Sequence, residues 1–328
     1  MNDTPSPLLS VVIPLYNEED NVAELYRRLH AVLTRMGQAY ELVLVDNGSI
    51  DHTLPMLKDL HRQDPCVRYL SLSRNYGHQG GLVAGLHHAS GDIVISMDGD
   101  LQHPPELIPE LVAKWRQGFD VVFTLKREDP SQSPIRHRIN RLFYGLVSRL
   151  SGLDLTGGQS DFRLMNRRAL DALNSLPEYG KFLRGLSHWI GFRQTGVVFD
   201  VDARFAGQSK FRFRELYRFA LNGLFSFSVF PLRVFTIIGS IIAVLSLLQV
   251  IYALVRTFYF MIIGTPVVAG YPTLVTGIFL LGGIQLIGIG LLGEYLGRVL
   301  DEVKQRPLYI VRERSAGLTN RETGGDNA

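Results

Sequence analysis

Five short apolar runs punctuate the first 126 residues of the chain: "SVVIPLY" (10–16), "YELVLVDN" (40–47), "VRYLSLS" (67–73), "DIVISMD" (92–98) and "DVVFTLK" (120–126). Their length and β-branched content predict buried strands. Between the first two, Val22, Leu25, Leu29, Val32, Leu33 and Met36 recur on one helical face, behind an acidic first turn of Glu18, Glu19 and Asp20 suited to a helix N-terminus. Strands alternating with amphipathic helices predict an α/β fold, with a mostly parallel sheet covered on both faces. Ligands of such sheets bind at the carboxyl ends of the strands, where this pattern puts Asp46, Asn47 and Asp98.

Near residue 230 the pattern changes. Residues 234–255 carry no charged side chain, and neither do residues 257–293. As a helix the first run is about 33 Å long, enough for a hydrocarbon core of about 30 Å. The second is divided by Gly264, Pro266, Gly270 and Pro272, which predicts a hairpin of two transmembrane helices, about 234–256 and 272–295. Arg233 precedes the hairpin and Arg298, Lys304, Arg306, Arg312 and Arg314 follow it, with Arg256 alone in the expected connecting loop. That asymmetry predicts a multi-pass protein of the plasma (inner) membrane with both termini cytoplasmic. Two segments, 134–152 and 212–233, mix Arg with Phe, Tyr and Leu as interfacial amphipathic helices do. The expected division is a soluble domain at 1–211, a juxtamembrane helix at 212–233, the hairpin at 234–297 and a partly disordered cytoplasmic tail at 298–328.

Composition narrows the chemistry. The opening "MNDTPSPLLSVVIPLYNEED" lacks a basic start and its apolar run is broken by Pro14, which argues against a secretory signal. Cys66 is the only cysteine, so no intramolecular disulfide forms. The net charge of +3 says little by itself, and no nucleic-acid partner is expected. The first strand leads into the acidic "PLYNEEDN", which repels a pyrophosphate, and "GHQGG" (77–81) lacks the lysine of a phosphate-binding loop. These glycines instead predict close packing of helix on strand.

Asp98 and Asp100 in "MDGD" are the sharpest chemical signal. Two ionised carboxylates about 5 Å apart repel by on the order of 3 kcal/mol at an effective dielectric near 20, so a cation must offset them. An arginine would serve, and so would Mg²⁺ or Mn²⁺, hard ions that also bind a substrate's phosphates.

In this order, "VVIPLYNEED", "VDNGSIDHT", "SRNYGHQGGLVAG", "MDGDLQHPPE" and "SDFRLMNR" resemble glycosyltransferase family 2, and with the hairpin they resemble its polyprenyl-phosphate branch. The resemblance implies a GT-A catalytic domain that moves one sugar, with inversion, from a nucleotide sugar to a polyprenyl phosphate in the bilayer. UDP-glucose and undecaprenyl phosphate are the expected substrates; mannose, N-acetylglucosamine or an aminoarabinose-type sugar is the alternative, as is a non-catalytic scaffold. It implies donor contacts from Pro14, Tyr16, Glu18, Asp46, Asp98 and Gln102, a metal held by Asp98, Asp100 and Gln102, and catalysis by Asp100 and Asp161, the latter as base or orienting group. Arg204, Ser209 and Lys210 would bind the acceptor phosphate, and Arg163 would reach that phosphate or pair with Asp161. A homo-oligomer, with a tetramer among its forms, is also expected. The family pattern after the second strand is Asp-Asp-Gly-Ser, whereas this chain has Asp46, Asn47, Gly48, Ser49.

Overall fold

The computed structural model describes residues 9–127, 159–178, 181–200, 230–263 and 271–318. The expectations for 134–152, for 212–229 and for Arg204, Ser209 and Lys210 lie outside these residues, as does the end of the tail from 319. The chain divides into two compact units, Met1–Gly223 with Arg306–Ala328, and Leu224–Gln305.

The first unit is built on β1 (Leu9–Leu15), β2 (Tyr40–Asp46), β3 (Val67–Leu72), β4 (Ile93–Ser96), β5 (Val121–Lys126), β6 (Gln159–Asn166), β7 (Gln194–Phe199) and β8 (Val311–Arg314). They form one sheet in the order β7-β5-β6-β4-β1-β2-β3-β8. The central strands β4, β1, β2 and β3 run parallel, as the alternation predicts. Helices α1 (Glu19–Met36), α2 (Thr53–Gln63), α3 (Gly77–His88) and α4 (Ile108–Arg116) join the strands up to β5, and α5 (Arg167–Asn174) and α6 (Leu183–Trp189) follow β6. The apolar face read for α1 is buried, with Val22, Leu25, Leu29, Val32 and Leu33 in the core beside Leu9, Val11 and Leu42.

α3 sits on β1 and β2 by means of glycine. A Cβ on Gly85 would stand 2.3 Å from Val12 Cγ1 and 2.9 Å from Val45 Cγ2, and one on Gly81 would stand 3.2 Å from both Pro14 Cβ and Asn47 Nδ2. The glycines of "GHQGG" therefore do the packing expected of them, and they bring the N-terminus of α3 to the strand ends.

β6, β7 and β8 were not foreseen. β6 is antiparallel to β4, with Ser96 opposite Arg163. β8 corrects the reading of 298–328 as a tail: residues 306–318 return to the first unit, and β8 pairs antiparallel with β3. Ser315 and Tyr69 exchange hydrogen bonds, Ser73 N–H donates to Ile310 O at 2.9 Å, and Lys58 Nζ lies 2.7 Å from a Glu313 oxygen. Beside β8, Tyr309 packs on α3, its hydroxyl 3.0 Å from His87 Nδ1.

The second unit consists of α7 (Phe230–Ile263) and α8 (Tyr271–Val303). At 34 and 33 residues they are about 51 and 50 Å long, well beyond the expected spans. Arg256 lies inside α7 and not in a loop, because nothing between it and Gly264 breaks a helix. Among the described residues one stretch, Leu281–Val303, is long and apolar enough to cross a membrane. Large apolar side chains face outward on both helices, including Ile237, Leu245, Phe258 and Ile262 on α7 and Ile278, Leu286, Ile289 and Leu296 on α8. Such area suits lipid contact far better than water.

His87 supplies a test of the tail's docking. Burial, with the nearby Lys181 and His88 charges, lowers its pKa from 6.5 to about 3. Its folded pKa lies below its unfolded one, so its contribution to stability is complete above pH 6.5 and is lost as pH falls towards 3. At pH 5 the loss is about 2 kcal/mol. Thermal unfolding of the wild type and of His87→Gln, followed between pH 7 and 5, should give a shallower decline for the variant; equal slopes would contradict the buried neutral imidazole.

Candidate active site

The cleft lies at the carboxyl ends of β1, β2 and β4, closed on one side by β6. Asp98 follows β4 by two residues. Continuing the β4–β6 register from Ser96 opposite Arg163 by two residues sets Asp161 beside Asp98, and Ser96 Oγ donates to Asp161 O at 2.6 Å. Asp161 is thus a strand residue, and the cap of α5 is Asn166, whose Oδ1 accepts from Ala169 N–H at 2.9 Å.

Asp161 is buried, and its carboxylate is held from three directions. The Arg184 guanidinium, on α6, donates through Nε to Oδ1 at 2.9 Å and through Nη2 to Oδ2 at 2.8 Å. Gln79 Nε2 donates to Oδ2 at 3.3 Å, and His78 Nε2 stands 3.4 Å from the same oxygen. Burial pushes the carboxyl pKa up, but Arg184 and His78 outweigh it and hold the group well below the ordinary carboxylate range. His78 also reaches Asp98 Oδ1 at 3.3 Å. Burial lowers its pKa, whereas the hydrogen bond to Asp161 and the charges of Asp98 and Asp161 raise it to about 9, so it is an imidazolium at neutral pH.

Arg163 stands behind this cluster. It is buried, donating to Leu183 O at 3.2 Å, to Ser160 O at 3.1 Å and to Ser187 Oγ, with Nη2 3.9 Å from Asp161 Oδ1. Of its two expected roles, the geometry presents the pairing with Asp161. Burial, opposed by Asp161, lowers its pKa to about 10.

Around Asp98 the loop is tightly arranged. His103 Nδ1 accepts the Asp98 N–H at 3.1 Å, and Nε2 lies 2.6 Å from Ser160 Oγ. Burial lowers the His103 pKa, so the ring is neutral and its proton sits on Nε2. Asp100 is buried, its Oδ1 accepting from Gln102 N–H at 3.2 Å in a turn where Leu101 takes a φ of 62°. Asp98 Oδ1 is buried without a hydrogen bond. Among the described residues no group of three His, Cys, Asp or Glu side chains forms a metal cage. Two carboxylates, one with an unmade bond, still fit a hard cation that takes its remaining ligands from a diphosphate and water.

On the other side of the cleft, Pro14 is buried in β1, and Tyr16 and Glu18 are half-buried beyond it. Glu18 Oε2 accepts from Asn21 at 2.5 Å. Asp46 is buried, accepting from Ser71 Oγ at 2.7 Å and from Ser49 N–H at 2.9 Å. Asn47 accepts from Tyr76 N–H at 3.0 Å and donates to Gly77 O at 2.9 Å, clamping the loop that leads into α3. An aspartate could not make that donation.

Residues 10–173 match the family model described as glycosyl transferase family 2, and residues 230–299 match the one described as GtrB C-terminal hairpin. The chain belongs to glycosyltransferase family 2. An uncharacterized glycosyltransferase of Synechocystis is 45% identical to it over 93% of this chain and 95% of that one. A prophage-derived bactoprenol glucosyl transferase of Shigella flexneri is 41% identical over 94% of this chain and 99% of that one. Among solved structures, a glucosyl-3-phosphoglycerate synthase of Mycobacterium tuberculosis, in complex with Mn²⁺, UDP and phosphoglyceric acid, has a TM-score of 0.47 at 22% identity, covering 65% of this chain and 75% of that one. As a member of that family the protein is a glycosyltransferase, and its first unit, which holds residues 10–173, contains the family's GT-A catalytic domain.

Sequence reading missed His78, Gln79 and Arg184. His78 carries no local signal, because its partners lie 20 and 83 positions away. Arg184 sits in "KFLRGLSHWI", which carries no local chemical pattern.

Asn47 gives the test of this subsection. Asn47→Asp restores the family's residue but sets an oxygen against Gly77 O in a buried site, and should cost about 1–3 kcal/mol. Thermal unfolding of the ligand-free protein should shift downward; an unchanged or raised midpoint would contradict the clamp.

Proposed function

We propose that the enzyme transfers one glucose from UDP-glucose to a polyprenyl phosphate, undecaprenyl phosphate in the cell, at the cytoplasmic face of the membrane. The observation that carries this reading is the cleft in which the diacid Asp98 and Asp100 stands across His78 from the buried Asp161. The bactoprenol glucosyl transferases, up to 41% identical over most of the chain, supply the sugar and the lipid class.

Asp98, Asp100 and Gln102 would hold Mg²⁺ or Mn²⁺ together with the diphosphate, where such an ion would offset charge on the leaving group. Pro14, Tyr16, Glu18 and Asp46 line the nucleoside side. A phosphate monoester has a second pKa of about 6, so at neutral pH its oxygen is already an anionic nucleophile. The acceptor oxygen attacks C1 of glucose opposite the diphosphate, the C1–O bond breaks with its electrons going to UDP, and an α-linked donor yields a β-linked lipid. No base is required. Asp161, locked as a carboxylate, orients the reacting groups, and Arg204, Ser209 and Lys210 meet the acceptor phosphate.

The helical hairpin and the basic residues at its two ends support two spans with both termini in the cytoplasm. We also propose a homo-oligomeric assembly.

Purified full-length protein, incubated with a panel of nucleotide sugars and a short-chain polyprenyl phosphate, should form lipid-linked glucose from UDP-glucose. Asp100→Asn keeps the turn to Gln102 and should lower transfer by about 100-fold or more, while thermal unfolding without ligand stays the same or rises because a repulsion is removed. Preference for another sugar would change the donor; no transfer from any donor would leave a scaffold; full activity of Asp100→Asn would remove the diacid from the reaction.

A further inference from the structure

The lipid phosphate and Asp161 are both anions, and the proposed reaction requires them to share one cleft. A buried carboxylate left uncompensated would repel the acceptor at every step of its approach. Two cations stand against it, His78, which Asp98 shares, and Arg184. Arg184 grips both oxygens of Asp161 at 2.9 and 2.8 Å, and its side chain is 27% exposed where that of Asp161 is 4% exposed. The guanidinium is therefore the more exposed member of the pair, reachable from solvent where the acid is not. Arg163 cannot take this part, because it is buried, its terminal nitrogens donate to Leu183, Ser187 and Ser160, and it comes no nearer to Asp161 than 3.9 Å.

We propose that Arg184 is a positioning residue of the transfer reaction, neutralising Asp161 so that an anionic acceptor can enter and fixing the plane of its carboxylate. This role rests on the reading that the acceptor is a phosphate. It has two separable parts. The positive charge governs acceptor affinity, since it cancels the field of Asp161 in the cleft. The planar fork governs turnover, since two parallel N–H donors hold a carboxylate in one orientation and an ammonium does not. The donor lies on the Asp98 and Asp100 side and depends on neither part.

The test uses full-length protein in detergent with UDP-glucose, Mn²⁺ and a short-chain polyprenyl phosphate, and compares wild type, Arg184→Lys, Arg184→Gln and the double variant Arg184→Gln with Asp161→Asn. Arg184→Gln should raise the acceptor KM about tenfold or more, with UDP-glucose binding measured by calorimetry within about twofold of wild type. Arg184→Lys should keep the acceptor KM within about threefold but lower kcat about tenfold. The double variant, neutral at both positions, should recover most of the acceptor binding seen by calorimetry while kcat stays low. Millimolar guanidinium should partly restore kcat to Arg184→Gln. A purely structural role predicts a common loss of donor and acceptor binding and no recovery in the double variant, and either result overturns the proposal. Should Arg184→Gln fail to fold, Arg184→Lys decides: an unchanged kcat overturns it. Wild type that glucosylates only a non-phosphorylated acceptor overturns the functional reading and this role with it, whereas wild type that uses the phosphate beside an unaffected Arg184→Gln overturns the role alone.

Discussion

Carboxylates gathered at the end of a sheet must each be offset by a cation, because two unit charges about 5 Å apart still repel by on the order of 3 kcal/mol at an effective dielectric near 20. Here the offsets are divided. Asp161, the deepest of the three, is satisfied within the protein by the Arg184 fork, by Gln79 and by His78. Asp98 is only partly satisfied: the imidazolium that it shares with Asp161 faces its Oδ1 at 3.3 Å without a hydrogen bond, and that oxygen is buried. Removing one partner of a buried ion pair costs about 3–5 kcal/mol, so Asp161 is fixed in its ionised state by the folded structure itself. The division leaves one acid paired within the fold and the other, in the proposed function, open to an incoming cation and diphosphate.

The rest of the domain is arranged to hold that division. Antiparallel β6, and not another parallel strand, is what sets Asp161 next to Asp98. The side chains that answer them come from α3 and α6, so the placement of those helices matters as much as the strands. α3 reaches the strand ends because Gly81 and Gly85 let it close on β1 and β2, and because Asn47 clamps the loop before it. At its far end the same helix carries His87, against which Tyr309 packs as the chain returns from the hairpin. One helix therefore touches both Asp161 and the segment that closes the sheet at β8.

Much of this was legible beforehand for a simple reason. The first five strands and α1 are written in local periodicity, and the diacid is a local pattern at a position where such sheets bind ligands. The glycines of "GHQGG" were legible as packing residues because the acidic loop after β1 and the absent lysine excluded a phosphate loop. β6 to β8 were not, since "SDFRLMNR" reads equally as the entry to a helix and "YIVRER" as part of a charged tail, until the edges of the sheet select them. Arg184 and His78 were invisible because their meaning lies in partners far along the chain. Asn47 looked like a lost charge at a donor contact, and only the loop it binds shows why an amide stands there.

The central claim is that Asp98 and Asp100 form half of a metal site that the donor's diphosphate completes. The protein alone offers no cage of three ligands among the described residues, so affinity for the ion must depend on the nucleotide. Electron paramagnetic resonance of Mn²⁺ titrated into the full-length protein tests this directly. The account predicts weak binding without nucleotide, at least about tenfold tighter binding with UDP or UDP-glucose, and loss of that gain in Asp98→Asn. Tight Mn²⁺ binding without nucleotide, or a nucleotide-dependent gain that survives in Asp98→Asn, would contradict it.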